Sequence, residues 1–135
     1  MKRGLFGILT AISLAFFTLA APIAAHHSIS AEFDTSKPIS FTGVVKAVDW
    51  GNPHIYTRVE TKGPDGKPIV YRVEGGPPNA LFRQGWRADS VKVGETVTVQ
   101  GVRAKNPTSL NIGTATIRNA TGKSIFSGNN PDNPQ

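Results

Sequence analysis

Two alternating runs joined by a short turn constrain this chain most. In Ile55 to Thr61, Ile55, Thr57 and Val59 share one parity, while His54, Tyr56, Arg58 and Glu60 share the other. In Ile69 to Glu74 the apolar parity is Ile69, Tyr71 and Val73. Between them lies Lys62-Gly63-Pro64-Asp65-Gly66-Lys67, a stretch of residues that favour turns. A period of two on both sides of a turn predicts a β-hairpin with one face buried. A helix would scatter the same apolar residues around its circumference.

The remaining elements follow the same logic. Ile39 to Trp50 predicts a long first strand. It has apolar residues on both parities and Gly43 within it, a pattern that suggests a bulge or strong coiling. Asp34 to Pro38 predicts a turn before it, and Phe33 a lone apolar residue that docks on the body. After the hairpin, Gly75-Gly76-Pro77-Pro78 ends the strand and admits a helix start. Asn79 to Gln84 predicts a short helix anchored by Leu81 and Phe82, with Gly85 suited to its C-terminal cap. Thr96 to Arg103 predicts a strand with Val97 and Val99 inward and a bend at Gly101. Leu110 to Arg118 is the last main strand, and Ser124 to Phe126 a short edge. Three strands, a helix and two strands is the order of the five-stranded OB-fold. The expected class is therefore all-β with one short helix, arranged as a small five-stranded OB-like barrel. An open sandwich or roll of the same strands is the alternative.

The two ends of the chain differ from this body. Lys2 and Arg3, the uncharged run Leu5 to Ala21, and Pro22-Ile23-Ala24-Ala25 have the three parts of an export signal. A membrane anchor is the competing reading, but the run is at the short end for spanning a bilayer. Residues 1–25 are thus expected to be a signal peptide, 26–38 an extended arm, 39–128 the barrel and 129–135 a polar tail. Cleavage after Ala24 instead of Ala25 is the alternative cut. The expected location is the periplasm or outside the cell, with no membrane contact after cleavage. Loss of Lys2 and Arg3 lowers the formal net charge of +6 by two. The remaining basic residues are scattered singly, as on a solvated surface, so nucleic acid is not an expected partner. With no cysteine, neither a disulfide framework nor a thiolate metal site is available.

Three histidines carry the most pointed chemistry. His26 and His27 stand at the expected cut, and His54 follows Trp50-Gly51-Asn52-Pro53 between two strands. Cleavage after Ala25 gives His26 a free α-amine. That amine, its imidazole and a second imidazole from His54 or His27 make a three-nitrogen set, which favours Cu(II). The amine with the His27 amide and imidazole is a second arrangement, and the alternative cut puts a histidine third, a further chelating geometry. Glu32 or Asp34 could add an oxygen if the arm folds back. Against this, paired histidines at a chain end bind metal adventitiously, and His54 could serve only as a hydrogen-bond donor. Trp50 and Trp86, with Asn52 and Tyr56, could form a ligand or partner surface. The plainer role for both tryptophans is to close the ends of the barrel by burying large area. No nucleophile elbow and no phosphate-binding loop is present, and an enzyme is not the leading expectation.

These residues resemble a known group. His26-His27-Ser28, Ala31-Glu32-Phe33-Asp34, Lys37-Pro38-Ile39, Thr42-Gly43-x-Val45, Trp50-x-Asn52-Pro53-His54, Pro78-Asn79-Ala80-Leu81 and Arg83-x-Gly85-Trp86 are similar to a family of small exported bacterial proteins classed as a domain of unknown function. The resemblance spans His26 to Gly128. It implies cleavage just before His26 and no particular reaction, substrate or cofactor. The chain departs from the family pattern in one place: family members usually carry a further aromatic, often tryptophan, soon after Asn-Pro-His, whereas here Ile55-Tyr56 follows directly and Tyr56 takes that place. The functional expectation is an exported binding module, in its sharpest form one that binds copper through the mature N-terminus, His26 and His54, with His27 nearby. The alternatives are an interaction or assembly factor that docks a periplasmic partner through the arm and the tryptophans, or a copper-dependent oxidoreductase.

Overall fold

A computed structural model describes residues 29–127. Two short helices and six strands follow in the order α1 (Ile29–Glu32), β1 (Phe33–Asp49), β2 (Tyr56–Lys62), β3 (Pro68–Glu74), α2 (Pro78–Arg83), β4 (Thr96–Ala104), β5 (Asn111–Asn119) and β6 (Ser124–Ser127). The expected signal peptide, His26 and His27, Gly128 and the polar tail 129–135 lie outside the described residues. No described helix is long and apolar enough to cross a membrane.

The strands form one sheet in the order β3-β2-β1-β4-β5-β6, and a further pairing closes β3 onto β5 and leaves β6 outside the ring. The result is a five-stranded ring, β1-β2-β3-β5-β4 and back to β1. Every contact in it is antiparallel except β3–β5, which is parallel and short, through Arg72↔Asn111 and Val73↔Ile112. The all-β class and the ring order are those the strand-helix-strand pattern predicts. The short closing contact matches a ring that is only partly open.

Burial follows the predicted parities. Ile55, Thr57, Val59, Tyr71, Val73, Val97 and Val99 all point into the ring and are buried. With Val45, Leu81, Val91, Ile112, Ala115 and Ile117, the apolar members of this set form a continuous core. Each such fully buried aliphatic side chain contributes about 1.5–3 kcal/mol relative to exposure. The first strand carries a bulge, which falls between Val45 and Ala47 and not at Gly43.

Two expectations are corrected. The first strand begins at Phe33, not Ile39, with Phe33 opposite Ala104. The polar stretch predicted as a turn interrupts its register between Phe33 and Pro38. There the Asp34 carboxylate accepts bonds from the Ser36 amide and hydroxyl and pairs with Lys37. These local bonds compete with the ladder. The second correction concerns Phe82, which is exposed and lies under the Arg87 guanidinium, 3.9 Å from its centroid. A helix of six residues has room for one buried position, and Leu81 takes it. Gly85 ends this helix as predicted, at φ +90°. The Gly85 amide donates to Phe82 O and the Trp86 amide to Leu81 O, the paired bonds of a Schellman cap.

Candidate functional site

The loop between β1 and β2 brings His54 to the outer face of the β2–β3 hairpin. The ladder runs past the strand ends, because the Gly75 amide donates to Ile55 O and the Ile55 amide to Gly76 O. Ile55 is buried, so its neighbour His54 points outward. Tyr56 stands opposite Glu74 in the register, which makes Glu74 the diagonal neighbour of His54. The Asn52-Pro53 bond before it is cis.

Glu74 is the residue that sequence reasoning missed. It faces away from the core, yet its side chain is only 13% exposed. His54 Nδ1 lies 2.5 Å from Glu74 Oε1, so the Nδ1–H donates to the carboxylate and Nε2 is left as the free nitrogen. The second carboxylate oxygen, Oε2, is buried with no hydrogen-bond partner. Burial holds the Glu74 carboxyl above its usual range, the charge of Glu32 pushes it further, and His54 and Arg72 pull the other way. Burial, together with the Glu74 charge, also raises the Tyr56 phenol. The sequence did contain one signal. Counting pairs outward from the turn puts Glu74 opposite Tyr56, beside the histidine.

Two further contacts complete the cluster. The Arg72 guanidinium lies over the Tyr56 ring, 4.2 Å from its centroid. Asn111 Nδ2 donates to Glu32 Oε1 at 2.8 Å, which ties the end of α1 to β5, and the Glu32 charge acts on Glu74. A pocket of about 260 Å³ opens here, lined by Asp49, Trp50, Gly51, Asn52, Pro53, His54, Tyr56 and Arg72. Asp49 is held at its rim by Arg58 Nε at 2.7 Å.

The structure therefore brings Trp50, Asn52, His54 and Tyr56 together and leaves Trp86 apart. Trp86 lines a separate pocket of about 580 Å³ with Gln84, Ser90, Glu95, Asn119 and Lys123. Both tryptophans are partly buried and pack against the core. His26 and His27 lie outside the described residues, but Glu32 is only a few residues further along the chain. Among the described residues, no group of three or more His, Asp or Glu is placed to hold a metal ion.

An imidazole fixed by a carboxylate through Nδ1 presents Nε2 as a ligand of defined direction, the usual outer support of a metal-binding histidine. A buried carboxylate oxygen without a donor calls for a cation or a water. The arrangement is thus suited to receiving positive charge. No curated protein and no solved structure matches the chain. A family model does, over residues 15–113, and on that match the chain belongs to the family of unknown function DUF6152.

Proposed function

We propose that this protein is an exported binding module that holds Cu(II) at the His54 end of the ring. In this reading the α-amine and imidazole of a mature N-terminus at His26 supply two nitrogens, and His54 Nε2 supplies a third. His27 stands next to them in the chain. The observation that carries the proposal is the His54–Glu74 pair, with Nδ1 committed to the carboxylate and Glu74 Oε2 buried and unpaired. Reach supports it too. The Glu32 charge acts on Glu74, and from the start of α1 at Ile29 the three residues back to His26 reach about 10 Å when extended. Nitrogen donors without thiolate favour Cu(II) over other divalent ions. Glu74 orients His54 and offsets metal charge from the outer shell. Trp50 and Asn52 form the wall of the pocket.

The test uses protein exported and processed by a bacterial cell. Its first residue is fixed by mass spectrometry, and Cu(II) is titrated by competition while EPR spectra are recorded. The expected result is one tight site with nitrogen ligation that weakens ten- to a hundredfold in Glu74→Gln, the range for loss of an outer-shell partner. His54→Ala weakens it at least as much. If His54→Ala, or a chain with one extra N-terminal residue, binds as tightly as the processed protein, the shared site does not exist.

A further inference from the structure

We propose that Arg72 and the pocket beside Trp50 form a binding site for a small organic carboxylate. The site needs neither copper nor the chain before Ile29, so it stands or falls apart from the copper reading. Among the described residues, three arginines lie over aromatic rings. Arg87 is 3.9 Å from the Phe82 centroid, Arg72 is 4.2 Å from that of Tyr56, and Arg103 is 5.8 Å from that of Tyr71. Two of them also spend donors on oxygens of the fold. Arg87 Nη1 donates to the carbonyls of Phe82 and Trp86, and Arg103 Nη1 to the Tyr71 hydroxyl. The Arg72 side chain makes no hydrogen bond and no ion pair with any described residue. Its donors are uncommitted while its position is fixed.

The register makes that lack of a partner more pointed. Arg58 on β2 stands directly opposite Arg72 on β3. Like charges so placed disfavour strand pairing unless each is answered. Arg58 is answered by Asp49, with Nε 2.7 Å from Oδ2. Arg72 is not, because the carboxylate two positions along its own strand, Glu74, bonds His54. A guanidinium fork matches a planar carboxylate through two parallel hydrogen bonds. Arg72 and Tyr56 both line the pocket of about 260 Å³, whose walls include Trp50 and Pro53. Its acidic residue, Asp49, is already taken by Arg58. That volume falls just below the range of drug-sized sites, and fixed polar groups in such sites set a ligand's orientation. It suits a molecule of benzoate size, with an apolar body against Trp50 and Pro53 and a carboxylate on Arg72. Phosphate could use the same fork but would gain nothing from the apolar wall.

The test titrates sodium benzoate into the processed protein, labelled with nitrogen-15, and follows amide and indole resonances by NMR. Excess EDTA removes metal, and physiological salt screens diffuse attraction between an anion and a basic chain. Acetate, inorganic phosphate and benzyl alcohol are titrated beside it. Benzoate should shift the Trp50 indole and the amides of Tyr56 and Arg72 saturably, and more tightly than acetate or phosphate, whereas benzyl alcohol should not saturate. Arg72→Gln should weaken benzoate about tenfold, the loss of a hydrogen bond to a charged group. Arg72→Lys keeps the charge without the fork and should weaken it by less. Arg87→Gln removes an arginine–aromatic pair elsewhere and should leave benzoate binding unchanged. Equal benzoate affinity in wild type and Arg72→Gln, or equal affinity for benzoate and benzyl alcohol, overturns the site. Tighter binding of phosphate than of benzoate overturns the carboxylate assignment.

Discussion

Trp50 and Trp86 sit in two regions that look alike in sequence and differ in chemistry. Each tryptophan is partly buried against the core and borders a pocket. Around Trp86 the polar groups are satisfied locally. The helix end is closed by the Gly85 and Trp86 amides, and Arg87 donates to the carbonyls of Phe82 and Trp86. A guanidinium at a helix C-terminus also complements the helix dipole. Around Trp50 the pieces come from different elements: His54 from the β1–β2 loop, Tyr56 from β2 and Arg72 from β3, with Glu74 at the end of β3 bonded to His54. Here one carboxylate oxygen has no partner. An aromatic that closes the core is thus no guide to function. The copper proposal rests instead on the buried, unpaired carboxylate oxygen of Glu74.

The largest effects should test whether the two tryptophans are equally structural. Trp50→Ala and Trp86→Ala should each cost about 2–4 kcal/mol in urea unfolding, somewhat below the range for fully buried aromatics. They should part in Cu(II) binding, which Trp86→Ala leaves unchanged once compared under conditions where both variants are folded. Equal loss of binding in the two would erase the distinction between the regions. A smaller effect should come from Gly113→Ala. The added Cβ meets the Phe33 ring, whose atoms Cδ2, Cγ and Cε2 would stand 2.5 to 2.7 Å away. Overpacking of this kind costs about 1–3 kcal/mol. The variant should unfold earlier in a thermal melt and show faster amide exchange in residues 30–33. A matching change at Gly76, where a Cβ would make ordinary contact with Leu81 at 3.8 Å, should do neither.

The same contrast explains how much of the molecule was legible in the sequence. The hairpin parities and the Gly85 cap were readable because each depends on neighbours two to six residues apart, whereas the ring order followed only from the order of elements. The inward set Ile55, Thr57, Val59, Tyr71 and Val73 needs only a period of two. Phe82 was misread because apolarity says nothing about which side of a six-residue helix meets the core. The start of β1 was missed because Asp34 and Ser36 bond to each other while Phe33 pairs with Ala104, far along the chain. His54 stood out by its residue type. Glu74 did not, since its burial depends on a loop residue twenty positions earlier and its charge balance on Glu32, which is tied to a residue 79 positions away. The role of His26 and His27 rests on chemistry that the described residues do not include.

The smallest effect should come from Glu74 itself in metal-free protein, and its sign distinguishes a charge held at a cost from a structural ion pair. Burial raises the folded-state value of this carboxyl above its ordinary 4.5. Folding therefore favours the protonated form. The contribution of Glu74 to stability is full below the ordinary value, falls as pH rises through it towards the raised folded value, and is constant above that. Glu74→Gln keeps an acceptor for the His54 Nδ1–H but has no charge to bury. The wild type should accordingly lose urea stability relative to Glu74→Gln on going from about pH 4 towards neutrality, as the unfolded chain releases its proton first. Repeating the pair in His54→Ala should steepen that loss, because His54 pulls the carboxyl down and its removal leaves the buried charge with less support. Parallel stability curves for wild type and Glu74→Gln across this range would mean that Glu74 ionises in the fold as freely as in water. Such a result would remove the charge imbalance that separates the Trp50 region from the Trp86 region.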